Sequence, residues 1–239
     1  MNLNSNEMPF LDHLEELRWR IIKVLLGVIC GSILSFIFVD KIIALLLIPV
    51  RSVPNAMNLQ VLQIQGMFMI KWGISFICGG IISLPLITYQ IWEFVSPGLH
   101  LKEKKIAFPL IFFTFISFIA GITFAYFILI PISLNFFTSM GYSGIQNNFS
   151  INYYLSFITW LMIGCGCLFE LPVLIFILAR LNIATPSFLR HYRKHAMIVI
   201  MILSAIITPP DPVSLIIMTI PLVLIYEISI GVAFFAQPK

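Results

Sequence analysis

Six apolar runs divide this sequence, and five of them hold roughly 20 or more residues with almost no charge. About 20 apolar residues at about 1.5 Å per residue cross the roughly 30 Å of a bilayer's hydrocarbon core. Inside hydrocarbon every backbone N–H and C=O must be paired within the segment, so runs of this kind become helices. The spans expected are 21–39, 67–94, 106–131, 152–181, 196–207 and 213–235. The composition agrees. Only 10% of the 239 residues are charged and 60% are apolar, whereas a soluble domain carries about 25% charged residues to face water. No polar stretch exceeds a loop, so residues 1–239 read as a single transmembrane domain. The net charge of +4 is spread in short clusters between apolar runs, with no basic face that would suit nucleic acid.

Those clusters set the orientation. Six spans place both termini on one side, and eleven of the fourteen Lys and Arg residues lie there. They are Arg18, Arg20, Lys23, Lys102, Lys104, Lys105, Arg180, Arg190, Arg193, Lys194 and Lys239. Lys41, Arg51 and Lys71 lie opposite. The positive-inside bias then predicts cytoplasmic (or stromal) termini.

Span lengths differ in informative ways. The second run, about 28 residues or roughly 42 Å, has to tilt, protrude or bend at Pro85. The fifth, about 12 residues or roughly 18 Å, falls short of the bilayer. Thr208-Pro-Pro-Asp-Pro212 forces a non-helical turn before the sixth. A short hairpin made by helices five and six predicts local thinning of the membrane. Gly27, Gly31 and Ser35 recur at four-residue spacing and let another helix approach closely, more simply within the chain than across a dimer.

Polar residues that depart from this pattern are candidates for function. Residues 7–20 read as an amphipathic helix, with Pro9 suited to the first turn and Phe10, Leu14, Leu17 and Ile21 on one face. This segment is expected along the cytoplasmic interface, turning afterwards into the first span. Its polar face holds Asp12, Glu15 and Glu16; the plain alternative is surface charge, with Glu16 and Arg20 as an i,i+4 pair. In the connection from Tyr89 to Lys105, Tyr89 and Trp92 read as interfacial belt residues and Glu103 as an acid among lysines. Glu170 is the outlier, a carboxyl deep in the fourth run two residues before Pro172. Intramembrane acids are expensive, on the order of 2.5–3.5 kcal/mol on insertion scales, and function is the default reading, with snorkelling the alternative. Cys30, Cys78, Cys165 and Cys167 all lie in apolar runs and read as small packing residues, not as metal ligands or disulfides. His191-Tyr-Arg-Lys-His195 lacks the glutamate of a zinc protease, and neither GxSxG nor a phosphate loop occurs. No enzyme and no cofactor are expected.

Four segments together carry a resemblance: His13-Leu-Glu-Glu-Leu-Arg-Trp-Arg20, the stretch Tyr89–Glu103 with its Trp92-Glu-Phe94 and Pro97-Gly-Leu99, Phe169-Glu-Leu-Pro-Val173, and Ile207–Ser214. In this order, over nearly the whole chain, they resemble the TatC family, the polytopic subunit of the twin-arginine protein translocase. The resemblance implies an all-α concave bundle of six transmembrane helices, both termini inside, with short helices five and six. It implies a receptor for signal peptides bearing consecutive arginines on folded precursors. Its partners would be TatA- and TatB-like single-span proteins and further copies of itself, with export driven by the proton-motive force. The membrane would be the bacterial inner membrane or the plastid thylakoid. By motif position Glu16 and Glu103 would receive the arginines, Phe94 and Pro97 would shape the same site, Glu170 would be the intramembrane polar residue and Asp211 the external-turn acid. Glu15, beside Glu16, could share its role. The chemistry suits this assignment, because a guanidinium fork matches a carboxylate bidentately and an ammonium does not. A proton-coupled small-solute transporter using Glu170 is the alternative, but the inverted repeat it calls for is not evident.

Overall fold

The computed structural model describes residues 10–51, 58–95, 107–140 and 148–236. It is helical almost throughout and divides into two compact units, one from residues 1–40 and 71–115, the other from 41–70 and 116–239.

The first unit is built on α1 (Phe10–Ile37) together with α4 (Gly66–Ile82) and α5 (Leu84–Val95). No glycine or proline separates residues 14–20 from the apolar residues that follow, and α1 runs on for 28 residues, about 42 Å, without a break. The amphipathic segment expected to lie along the interface is therefore, over its described part, the first turns of the spanning helix. Between α4 and α5 the axis bends by 52°. The break falls at Ser83, just before Pro85, which lacks an N–H and crowds the preceding turn. Gly31 and Gly79 bring α1 and α4 into backbone contact, since a Cβ on Gly31 would lie 2.8 Å from the Gly79 carbonyl oxygen. The small-residue stripe thus serves packing within the chain. Beyond it, Phe36 stacks on Trp72 at 5.6 Å and Asp40 pairs with Lys71 at 2.7 Å.

In the second unit, α2 (Val39–Leu46) leads through α3 (Ile48–Arg51) to β1 (Asn58–Gln60). The helix α6 (Ala107–Phe124) passes through a π turn, Ala125–Leu129, into α7 (Ile130–Ser139). The Ile130 N–H reaches back to the Ala125 carbonyl, and this wider turn accommodates the Pro131 ring, which would otherwise press on the carbonyl of Phe127. A second short strand, β2 (Asn148–Ser150), pairs in parallel with β1, Asn58 opposite Asn148 and Gln60 opposite Ser150. This ladder is absent from the hydropathy pattern, because each strand spans only three residues. The long run 151–180 is α8 (Ile151–Phe169) and α9 (Leu171–Arg180), hinged at Glu170 before Pro172. After α10 (Pro186–His191) come α11 (Arg193–Ile207) and α12 (Pro212–Ala236).

Leu129, Ile158, Leu161, Cys165, Met218 and Leu222 are fully buried and form the centre of this unit. Cys165 Sγ lies 3.4 Å from Met218 Sδ, and Gly121 packs directly on the Cys165 backbone. All four cysteines are free thiols, but only Cys165 is buried; Cys78 is half-buried and Cys30 and Cys167 are exposed, so the packing reading holds for Cys165 alone. Tyr126 and Tyr154 donate their hydroxyls to the carbonyls of Leu45 and Leu46 at 2.8 and 3.0 Å, pairing backbone acceptors that the end of α2 leaves open.

Among the described residues four helices are long and apolar enough to cross a membrane, or five if the bent pair α4–α5 is one span, against the six expected. Of the two helices expected to be short, only α11 is, at 15 residues or about 22 Å. The other, α12, has 25 residues, about 37 Å, because its apolar run continues past Glu227 to Ala236. Any thinning of the bilayer thus belongs to α11.

The orientation can be checked by introducing Ser5→Cys, Asn147→Cys and Gln237→Cys singly into a variant whose own cysteines are alanine. An impermeant maleimide added outside intact cells should label position 147 alone. Labelling at position 5 would reverse the topology.

Candidate functional site

Near the start of α1, two turns of helix aim acidic and basic groups at α5. Glu16 and Arg20 stand one helical turn apart, so both face the same way, while Glu15 is exposed on another face. That separates the two neighbouring acids, and Glu16 is the one turned toward the packed side. The Arg20 guanidinium is 13% exposed and Glu16 is 23% exposed. From α5, Glu93 accepts from Arg20 Nη1 at 2.8 Å and Gln90 Oε1 lies 3.4 Å from the same nitrogen. Arg20 Nε donates to Glu16 Oε1 at 3.1 Å, and Nη2 donates to the same carboxylate. A guanidinium is thus gripped between carboxylates of two helices, with its hydrogen bonds charge-assisted.

The i,i+4 pairing of Glu16 and Arg20 appears as the plain reading expected, but Gln90 and Glu93 join it from 70 and 73 residues away. Sequence reasoning passed over Glu93, a carboxylate within the motif Trp92-Glu-Phe94. Its signal was the i,i+3 spacing from Gln90, which puts both on one face of a helix. Phe94 follows on α5 and is half-buried. Pro97 and Glu103 lie outside the described residues. Trp92, read as an interfacial residue, is 3% exposed. It shares a buried face with Thr88 one turn back, so the indole fills the packed side of α5; Tyr89 stays 41% exposed, as a belt residue would.

In the second unit, Glu170 closes α8 and opens α9. Its N–H bonds to the Cys167 carbonyl at 3.2 Å and its own carbonyl accepts from Val173 and Leu174, each at 3.0 Å. The backbone is satisfied, while the carboxyl Oε1 is buried and has no hydrogen-bond partner among the described residues. Phe124 and Phe169 stack beside this break at 5.6 Å. Asp211 is 3% exposed and caps α12, accepting from the Ser214 N–H at 2.6 Å. The Ser214 hydroxyl in turn meets the Ser133 hydroxyl at 2.7 Å. The acid of the proline-rich turn therefore starts a helix and ties it into a buried polar cluster. A further acid that the apolar pattern concealed, Glu227 in α12, pairs with Arg193 of α11 at 2.7 Å.

Apolar helices of spanning length, broken at prolines and carrying a few partly buried carboxyls, define a multi-pass helical membrane protein. The family of Sec-independent protein translocase proteins, TatC, matches residues 12–221. The chain belongs to the TatC family. It is 39% identical over 238 residues to the TatC protein of Carboxydothermus hydrogenoformans, covering 99% of this chain and 97% of that one. It is 34% identical to TatCy of Bacillus subtilis, with 99% and 93% covered. A crystal structure of the twin-arginine translocase receptor TatC, 34% identical, superposes with a TM-score of 0.79 over 94% of this chain and 99% of that one. A second crystal structure of that receptor, in DDM, gives 0.81 at 33% identity, covering 95% and 100%.

Proposed function

We propose that this chain, an integral membrane component of a Sec-independent protein translocase, is its receptor for twin-arginine signal peptides. It binds the paired arginines of folded precursors on the side that carries the basic connections, in a bacterial inner membrane or a thylakoid. With TatA- and TatB-like single-span partners, and further copies of itself, it passes the cargo across using the proton-motive force. Glu16 and Glu103 receive the two guanidinium groups, with Phe94 and Pro97 shaping the site. The observation that carries this reading is the Arg20 cradle, because it holds a guanidinium between carboxylates at the position of Glu16. Arginine is favoured there over lysine, since a fork can engage two acceptor atoms in fixed geometry whereas an ammonium is a single hydrated point charge. Glu15 is exposed on another face of α1, which supports Glu16 as the principal acceptor. The transporter reading has no support from the relatives.

Peptide binding tests it. Glu16→Ala and Glu103→Ala should each weaken a synthetic twin-arginine peptide by roughly ten- to a hundredfold, the loss of one charge-assisted hydrogen bond of about 1.5–3 kcal/mol. A peptide with both arginines replaced should respond little to either change. Equal losses for the two peptides would mean damaged structure and refute the assignment.

A further inference from the structure

The guanidinium that occupies Glu16 belongs to the chain itself. Arg20 is mostly buried and engages Glu16 through two of its nitrogens, while its third nitrogen, Nη1, is shared between Glu93 and Gln90. An arginine arriving from a ligand would therefore meet a carboxylate already engaged by the same chemical group. Displacing Arg20 outright would strand a partly buried cation, which is strongly unfavourable. Glu93 removes that obstacle. It holds Arg20 at 2.8 Å through a nitrogen that Glu16 does not use, and it is the more exposed of the two acids at 43%. A side-chain rotation of Arg20 toward α5 would exchange a shared hydrogen bond for a bidentate one on Glu93 and release its hold on Glu16.

We propose that Arg20 is an internal occupant of the Glu16 arginine site and that Glu93 is the acceptor to which it is transferred when a ligand guanidinium binds. This rests on the reading of Glu16 as a signal-peptide acceptor. Arg20 then lowers the affinity for every cationic ligand, and Glu93 moderates that penalty. In the resting state Glu93 holds one edge of Arg20, and after exchange it holds the fork, so losing Glu93 penalises the bound state more than the free state.

A double-mutant cycle in the full-length protein in detergent tests this, with a fluorescent synthetic twin-arginine peptide as probe. Arg20→Gln should tighten binding about three- to tenfold, and Glu93→Gln alone should weaken it by a similar factor. In the Arg20→Gln background Glu93→Gln should change affinity by less than about twofold, because nothing remains to be transferred. If Glu93→Gln weakens binding equally in both backgrounds, Glu93 touches the peptide or acts by charge alone, and the proposal fails. If Arg20→Gln weakens binding while the thermal unfolding midpoint is preserved, Arg20 supports peptide binding instead of competing with it, and the proposal fails. Should Arg20→Gln not fold, Arg20→Lys takes its place in the cycle: it keeps the charge and loses the fork, so part of the tightening and the same loss of dependence on Glu93 are expected. A parent protein that binds the twin-arginine peptide no better than one lacking both arginines would instead overturn the receptor reading itself.

Discussion

A Gly79→Ala protein is expected to accumulate poorly and to unfold roughly 5–10 °C below the parent in detergent, while Gly80→Ala, one residue on, behaves like the parent. The difference lies in what the added methyl would meet. At Gly79 it would sit 2.7 Å from the Ser32 Cα and closer still to the Ser32 amide, whereas at Gly80 nothing lies within 4 Å. A crowded side chain can turn away, but crowded backbone forces two helices apart. Gly31 opposes Gly79 from α1, so both sides of the crossing lack the room to yield. Overpacking costs about 1–3 kcal/mol in ordinary cores and more where backbone must move. In lipid the loss is felt directly, since tight packing between small residues drives helix association when the hydrophobic effect does not. Thermal unfolding followed by intrinsic tryptophan fluorescence, with the steady-state amount in membranes, measures the outcome. Equal behaviour of the two alanine variants would show that α1 and α4 are not in contact at this crossing.

The second large effect is expected at Glu170. Export of a twin-arginine reporter should fall to background in Glu170→Ala, yet persist at a substantial level in Glu170→Gln, with peptide binding intact in both. The carboxyl stands at the junction of α8 and α9, its Oε1 buried without a hydrogen-bond partner among the described residues. A polar atom left unpaired in hydrocarbon is costly, so this group calls for water or a polar residue of another helix. We propose that it acts after recognition, within the membrane. Glutamine keeps the shape and most of the hydrogen bonding, whereas alanine keeps neither. If glutamine fails as badly as alanine, ionisation is what matters; normal export by alanine would make Glu170 a snorkelling acid with no part in transport.

Much of this architecture can be read along the chain because the bilayer imposes one-dimensional rules. Apolar length marks the spans, the Lys and Arg bias gives them an expected orientation, and Pro85 and Pro172 mark where a helix bends or restarts. Gly27 and Gly31 announce a close approach, since a stripe without side chains has few other uses. Glu170 stands out for the same reason, as a carboxyl where lipid tolerates few.

Other features depended on which helices become neighbours. Periodicity shows that Glu16 and Arg20 share a face, but not that α5 would bring Gln90 and Glu93 to that face. The indole of Trp92 is interfacial by composition and buried by packing, because lipid and a neighbouring helix present similar apolar surroundings to a hydropathy scale. The β1–β2 pairing joins residues 90 positions apart through strands too short to carry a pattern. Asp211 is recognisable as an acid in a proline-rich turn, but its capping of α12 and the Ser214–Ser133 link appear only in three dimensions. The sequence alone determined that this is a multi-pass membrane protein and where helices break near Pro85 and Pro172, since those depend on each segment's own encounter with lipid. Only the tertiary structure decided that Arg20 sits between Glu16 of its own helix and Glu93 of α5. Lateral pairing of helices is set by shape and hydrogen bonding between distant residues, and no local pattern records it.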